Sequence, residues 1–275
     1  VLLLCVACDG PAPAVDGGPP PTADAGIDAG PAVDPTTAHF VAAPTEGEGP
    51  WSLWGFMSVA IDSSHAIVIG GTDVGAITGE VYPDAWRVEV TPSAIRAQRI
   101  ETTGLAPRYC ACAAYDPGRG VVVVFGGRDL DVSAFPPSTW ELDLATSTWS
   151  EIADATQPTG TIGCAMAHVP GVDAIYMFGG ANAFGAYAET HRYDGDRWTL
   201  IDAPGPVARY DGVLFASHDG ESLLLFGGSY GARGAAFYSD VWRFDPTSES
   251  WTEILLPEVP VGRRAAWVVR DPNDP

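Results

Sequence analysis

Val122-Val123-Val124-Phe125-Gly126-Gly127 is a run of four strand-forming residues that ends in two glycines. A strand with no polar residue at alternate positions is buried on both faces. Paired glycines let the chain leave it through backbone angles or close contacts that a Cβ forbids. The same signature returns as Ala66-Ile67-Val68-Ile69-Gly70-Gly71, Ile175-Tyr176-Met177-Phe178-Gly179-Gly180 and Leu223-Leu224-Leu225-Phe226-Gly227-Gly228. The first glycines stand at 70, 126, 179 and 227, giving periods of 56, 53 and 48 residues. Self-similarity at such a spacing means a repeat architecture, and each period is one structural unit.

Working outward, each glycine pair is followed by a variable stretch and then a short strand: Trp86-Arg87-Val88, Trp140-Glu141-Leu142-Asp143, His191-Arg192-Tyr193-Asp194 and Trp242-Arg243-Phe244-Asp245. A turn and a last strand follow in three copies, as Trp149-Ser150-Glu151-Ile152, Trp198-Thr199-Leu200-Ile201 and Trp251-Thr252-Glu253-Ile254. Upstream of each pair lies one more strand, as in Gly212-Val213-Leu214-Phe215-Ala216-Ser217, so the fold is all-β with four short strands per period.

The pattern resembles the Kelch repeat, whose period is about 50 residues, and the resemblance runs from about Trp51 to the end of the chain. It implies a β-propeller of four-stranded antiparallel blades: four full blades and parts of others, from a ring of six or seven. The tryptophans at matched positions are expected to fill the space between blades. Copy one has Ala97-Gln98-Arg99-Ile100 where the last tryptophan belongs, and copy three has His191 in place of the earlier one, so these blades should pack less regularly. Pro260-Val261-Gly262-Arg263-Arg264-Ala265-Ala266-Trp267 aligns with Pro206 to Val213 and begins a fifth copy. The strand His39 to Ala43 is expected to complete a blade whose other strands lie outside this sequence.

Three segments precede or make up the folded part. Residues 1–8, Val1-Leu2-Leu3-Leu4-Cys5-Val6-Ala7-Cys8, read as the end of an export signal, and Val6-Ala7-Cys8 resembles the tail of a bacterial lipobox with Cys8 as the lipidated residue. Residues 9–38 are dominated by Pro, Gly, Ala and Asp without Lys, Arg or an aromatic residue, and form a disordered tether. Residues 39–275 form the propeller part. The expected location is the bacterial cell envelope, with the membrane reached only through lipid, since no run has the roughly 20 apolar residues of a membrane span.

The net charge of -21, from 35 acidic residues against 14 Lys and Arg, excludes a phosphate-binding surface for nucleic acid. Candidate binding residues lie on the variable stretches after the glycine pairs: Tyr82, Phe135, Phe184, Tyr187, Tyr230, Phe237 and Tyr238. Loop aromatics give rigid contact area at low entropic cost; alternatively they fold back onto their own blades. Arg108, Arg209 and Arg263 open first strands in phase, with Thr161 and Ser52 in the other copies. They either form a cationic ring for a carboxylate or phosphate, or pair with loop carboxylates. Asp84 and Asp240, two residues before Trp86 and Trp242, are expected to accept loop backbone hydrogen bonds.

Cys110, Cys112 and Cys164 fall in first strands, and alignment on the glycine pairs puts Cys164 on the opposite strand face from the other two. Either one bridge joins neighbouring first strands or the thiols stay free and buried. The five histidines show no metal-ligand spacing, so neither metal nor cofactor is assigned. The resulting function is a binding or scaffold domain for a protein or carbohydrate ligand. The alternative is an enzyme on the same scaffold, resembling either the copper-radical oxidases of the galactose oxidase type or the sialic acid mutarotases. The oxidase needs a cross-linked Tyr and Cys with His and Tyr copper ligands, a set that falls on no matched positions here. The mutarotase needs only a polar pocket.

Overall fold

The computed structural model describes residues 45–51, 53–73, 80–91, 93–128, 135–153, 156–230, 236–257 and 261–264. Cys8, the tether, Ser52, and the strand expected at His39 to Ala43 lie outside them. Each repeat is one antiparallel sheet. Blade one comprises β2 (Met57–Ala60), β3 (His65–Ile69), β4 (Ala85–Val90) and β5 (Ile95–Ile100), with β1 (Thr45–Glu46) added in parallel outside β5. Blade two is β6 (Cys112–Asp116), β7 (Val121–Phe125), β8 (Thr139–Asp143) and β9 (Thr148–Ile152). Blade three is β10 (Ala165–Val169), β11 (Ala174–Phe178), β14 (Thr190–Tyr193) and β15 (Trp198–Ile201), with a hairpin of β12 (Ala181–Asn182) and β13 (Gly185–Ala186) after its glycine pair. Blade four is β16 (Val213–Ala216), β17 (Leu223–Phe226), β20 (Val241–Asp245) and β21 (Ser250–Ile254), with the hairpin β18 (Ser229–Tyr230) and β19 (Ala236–Phe237) in the same place. Inner strands β2, β6, β10 and β16 lie against one another in that order.

The apolar runs are buried on both faces because each blade is sandwiched. Val122 and Val124 face blade one, where they join Ile67 and Ile69; Val121, Val123 and Phe125 face blade three and meet Ile175, Met177 and Trp198. Blade three repeats this, with Tyr176 and Phe178 turned to Leu225, Phe244 and Trp251 of blade four. The outer-strand tryptophans also tie blades together by hydrogen bonds. Trp198 Nε1 donates to Thr139 Oγ1 of the preceding blade (2.7 Å) and Trp251 Nε1 to Thr190 Oγ1 (2.9 Å). Blade one has Ala85 at that place, and Trp149 turns instead to Thr102 in the linker (3.2 Å). Blade one lacks the last tryptophan, yet β5 forms; its outer edge is covered by β1, where Glu46 accepts from Arg96 Nε at 2.8 Å.

The glycine pairs act between blades as well as within them. The N–H groups of Gly71, Gly127, Gly180 and Gly228 donate to the carbonyls of Arg108, Thr161, Arg209 and Arg263, at 3.0, 2.9, 2.8 and 2.8 Å. Each acceptor opens the first strand of the next blade. The first glycines, Gly70, Gly126, Gly179 and Gly227, have φ between +65° and +69°, and a Cβ on any of them would drive into that same carbonyl oxygen. A side chain is therefore excluded twice, by backbone angle and by close approach. The Arg263 contact shows that the fifth copy docks on blade four as the others dock on their predecessors.

Cys112 and Cys164 form a disulfide, with Cα atoms 5.6 Å apart. Their positions on opposite strand faces make this possible: blades stack, so the face of β6 that looks to blade three meets the opposite face of the chain entering β10. The bridge decides between the two readings of these cysteines.

Two consequences can be measured. Gly120 has φ +68° with open space around a Cβ, so Gly120→Ala reports the backbone angle alone, a cost of about 1 kcal/mol. Gly126→Ala adds the lost staple and should cost about 2–3 kcal/mol by denaturant unfolding; equal costs for the two would refute the stapling role. The bridge closes a 52-residue separation, worth about 4 kcal/mol in the chain-entropy view. Non-reducing peptide mapping should join Cys112 to Cys164, and the double serine variant should melt several degrees lower.

Candidate functional site

The loops after the glycine pairs leave each blade at the same end, and their return paths are fixed by the backbone. Tyr82, Tyr187 and Tyr238 occupy one repeat position: their N–H groups donate to the carbonyls of Gly71, Gly180 and Gly228, at 2.9, 2.8 and 2.9 Å. The carbonyls of Tyr187 and Tyr238 then accept from the N–H groups of Arg209 and Arg263, which open the next blades. These tyrosines are thus half-buried parts of the blade junction. Tyr82 also donates its hydroxyl to Asp73 Oδ2 (3.0 Å), a bond that raises its phenol to about 12.

The remaining aromatics divide. Phe135 is half-buried, with the Arg128 guanidinium 5.8 Å from its ring centre. Phe184 caps the β12–β13 hairpin and is 96% exposed. Its placement follows from Asn182, whose Oδ1 accepts the Phe184 N–H (2.9 Å) while Nδ2 donates to the Gly160 carbonyl (3.1 Å). Tyr230 and Phe237, on the two strands of the blade-four hairpin, are 50% and 51% exposed. Three aromatics therefore stand out from two successive hairpins, held on short ladders of backbone bonds.

The arginines do not form a ring for an anion. Arg108 and Arg209 are buried, at 4% and 1% exposure. Both place Nη1 on the carbonyl of their own blade's first glycine, Gly126 and Gly227, at 3.0 Å. Arg209 also grips Asp240 with two bonds of 2.7 Å and lies 4.3 Å from the Tyr238 ring centre. Asp240 in turn accepts from Trp242 Nε1 (2.7 Å). Burial pushes the Asp240 carboxyl up, but these two side-chain partners outweigh it and hold the group below its usual value. Arg108 has Ser138 Oγ in the corresponding place (3.5 Å) and the Trp140 ring 5.9 Å away. Thr161 uses its hydroxyl on the Ala181 carbonyl (2.8 Å). Arg263 is exposed, with Nε on the Val261 carbonyl. Asp84 and Asp240, expected to serve loop backbone, both bind guanidinium groups, Asp84 that of Arg99, and Asp240 also accepts from its own backbone N–H. A guanidinium, whether buried as Arg209 or exposed as Arg99, makes a stronger bond to a carboxylate than a neutral backbone N–H does.

One grouping escaped the sequence. Asp116 at the end of β6, His168 in β10 and Asp173 in the turn after it bring ligand atoms within 4.8 Å of one another from neighbouring blades. The cation there is Arg119, whose Nε donates to Asp116 Oδ2 at 2.7 Å and whose Nη1 reaches Glu141 at the same distance. Burial raises the Asp116 carboxyl, and the arginine bonds more than reverse that. These residues came from separate repeats, so no spacing announced them.

Residues 55–271 match the family described as the KLHDC2/KLHL20/DRC7 Kelch-repeats domain. Kelch domain-containing protein 3 of Homo sapiens is 26% identical over 220 residues, covering 74% of this chain and 54% of that protein. The proteins of the same name from Bos taurus and Mus musculus give the same values. The chain spans about half the length of the curated relatives it matches. Its four stapled blades and a family match over most of its length lead to one conclusion: the chain belongs to the Kelch-repeat family.

Proposed function

We propose that this chain is an exported binding and scaffold protein that recognises a protein ligand through the hairpins after its glycine pairs. The observation that carries the reading is the exposure of Phe184, Tyr230 and Phe237 on two successive hairpins. Exposed aromatics on rigid loops are the residue types that dominate interface energetics. The chain carries a net charge of -21, which favours a ligand with basic or neutral character over an anionic one. Carbohydrate remains the second ligand class, since rings of this kind also stack on sugars. Kelch domains mediate protein interactions, which supports the protein ligand first.

Export is supported by two independent features. The Cys112–Cys164 bridge belongs to an oxidising compartment. Val6-Ala7-Cys8 followed by an acidic tether is what a lipid-anchored envelope protein presents. The tether would hold the blades away from the membrane, leaving the hairpins free.

The combined variant Phe184→Ala, Tyr230→Ala, Phe237→Ala should keep the wild-type melting temperature and lose partners recovered by cross-linking from envelope extract. Three truncated hot spots of about 1–2 kcal/mol each would lower recovery by at least tenfold; equal recovery on wild type and variant would end the rim reading. A glycan array probed in parallel separates the sugar class from the protein class. For the anchor, the precursor expressed in a bacterial host should incorporate labelled fatty acid and lose the label on Cys8→Ser. A wild-type precursor without label removes the lipid anchor from the reading.

A further inference from the structure

Blade three departs from its neighbours at one packing position, and the departure leaves a cleft. Trp86, Trp140 and Trp242 are each the second residue of the third strand of their blades; His191 holds that place in β14. In blade two the linker entering the blade rests on the tryptophans: a Cβ on Gly104 would lie 3.4 Å from Trp149 and 3.8 Å from Trp140 Cζ3. In blade four Gly205, in phase with Gly104, rests on Trp251. The in-phase residue of blade three is Gln157. Its amide is turned back to blade two, where Nε2 donates to the Ile152 carbonyl (3.0 Å) and Oε1 accepts from Thr139. With the linker held there and an imidazole in place of an indole, an open cleft of about 550 Å³ remains between Gln157, Trp198, Glu189, His191 and Leu200.

The walls of this cleft suit a definite group. Leu200, paired with His191 across the strands, is 60% exposed and offers an apolar flank, while Trp198 lines the cleft as a buried residue. His191 is buried, its Nδ1 has no hydrogen-bond partner among the described residues, and its Nε2 is 3.9 Å from Glu189 Oε2. Burial lowers its pKa to about 4, so the ring is neutral at neutral pH. Glu189 stands two residues before His191, as Asp240 stands two before Trp242. In blade four that carboxylate accepts the indole N–H at 2.7 Å. Asp240 is also held by Arg209, whereas blade three has Thr161 in the arginine's place, so Glu189 lacks that guanidinium.

We propose that this cleft receives an indole ring, the side chain of a tryptophan carried by a partner chain, which fills the space of the missing blade tryptophan and donates its N–H to Glu189. Blade four is the internal template for the bonded indole; in blades one and two Trp86 and Trp140 fill the same position with Nε1 unpartnered among the described residues. The site lies on the outer strands of blade three beside the β12–β13 hairpin, with Pro158 and Thr159 in its lining, and it uses none of Phe184, Tyr230 and Phe237, so it stands whether or not those aromatics bind a partner.

The test uses the intact protein and N-acetyl-L-tryptophanamide as probe, with N-acetyl-L-leucinamide as control, followed by NMR chemical shifts. Saturable shifts at Leu200 and Thr199 with the tryptophan probe, and weaker binding of the leucine probe, are expected. His191→Trp restores the repeat's own residue; it should fill the cleft, raise the melting temperature and weaken the probe by at least ~tenfold, equivalent to about 1.4 kcal/mol. Should that variant fold poorly, Leu200→Arg at the exposed flank should block the probe and leave the melt unchanged. Glu189→Gln should weaken the probe while leaving the cleft open. The proposal is wrong if the tryptophan probe gives no saturable shifts, if it binds His191→Trp or Leu200→Arg as well as wild type, or if leucinamide binds as tightly.

Discussion

The hydrogen bond from the second glycine of each pair to the first-strand carbonyl of the next blade is the contact on which the rest of the structure depends. It fixes the spacing and angle between consecutive sheets, so that the apolar runs meet face to face. It also requires the preceding glycine, because only a residue without a Cβ lets that carbonyl come so close at positive φ. A second line of backbone bonds runs parallel to it. Cys110 N–H donates to Gly55, Gly163 to Cys110, and Asp211 to Gly163, at 2.6, 3.0 and 2.7 Å. All four residues have φ near +60°, so the chain turns identically as it enters each blade.

Around these junctions the polar residues are used for packing as much as for recognition. Arg108 and Arg209 close the gap over a glycine carbonyl and an aromatic ring, and in blade four Asp240 completes the group by taking both the guanidinium and the indole N–H. Buried ion pairs add little net stability once desolvation is counted; their value here is the single geometry they allow for the loop above. Blade three dispenses with both the arginine and the tryptophan. What it loses in packing appears as the cleft beside His191.

Much of the architecture was legible because its determinants are local and repeat. The glycine pairs, both-face apolar runs and paired tryptophans each report a single strand or turn, and four copies in register remove the ambiguity of any one. The candidate site was legible only in part. The loops could be located, but Phe135 and Phe184 look alike in sequence, and one is half-buried beside Arg128 while the other is 96% exposed on an Asn182 turn. The in-phase arginines were visible as a set; their burial was not, since it depends on the ring of Tyr238 or Trp140 and on a carbonyl of the same blade. Asp116, His168 and Asp173 come from two blades and had no spacing to reveal them.

By itself the sequence determined the all-β class, the four-stranded unit, its repetition and the opposite strand faces of Cys112 and Cys164. Strand periodicity and glycine placement are properties of a few adjacent residues, so they survive being read one segment at a time. Only the tertiary structure decided that those opposite faces look at each other, that two arginines are packing residues, and that three aromatics remain outside. Each of these depends on which surface the next blade covers, and that is set by stacking between repeats about fifty residues apart rather than by any neighbour in the chain.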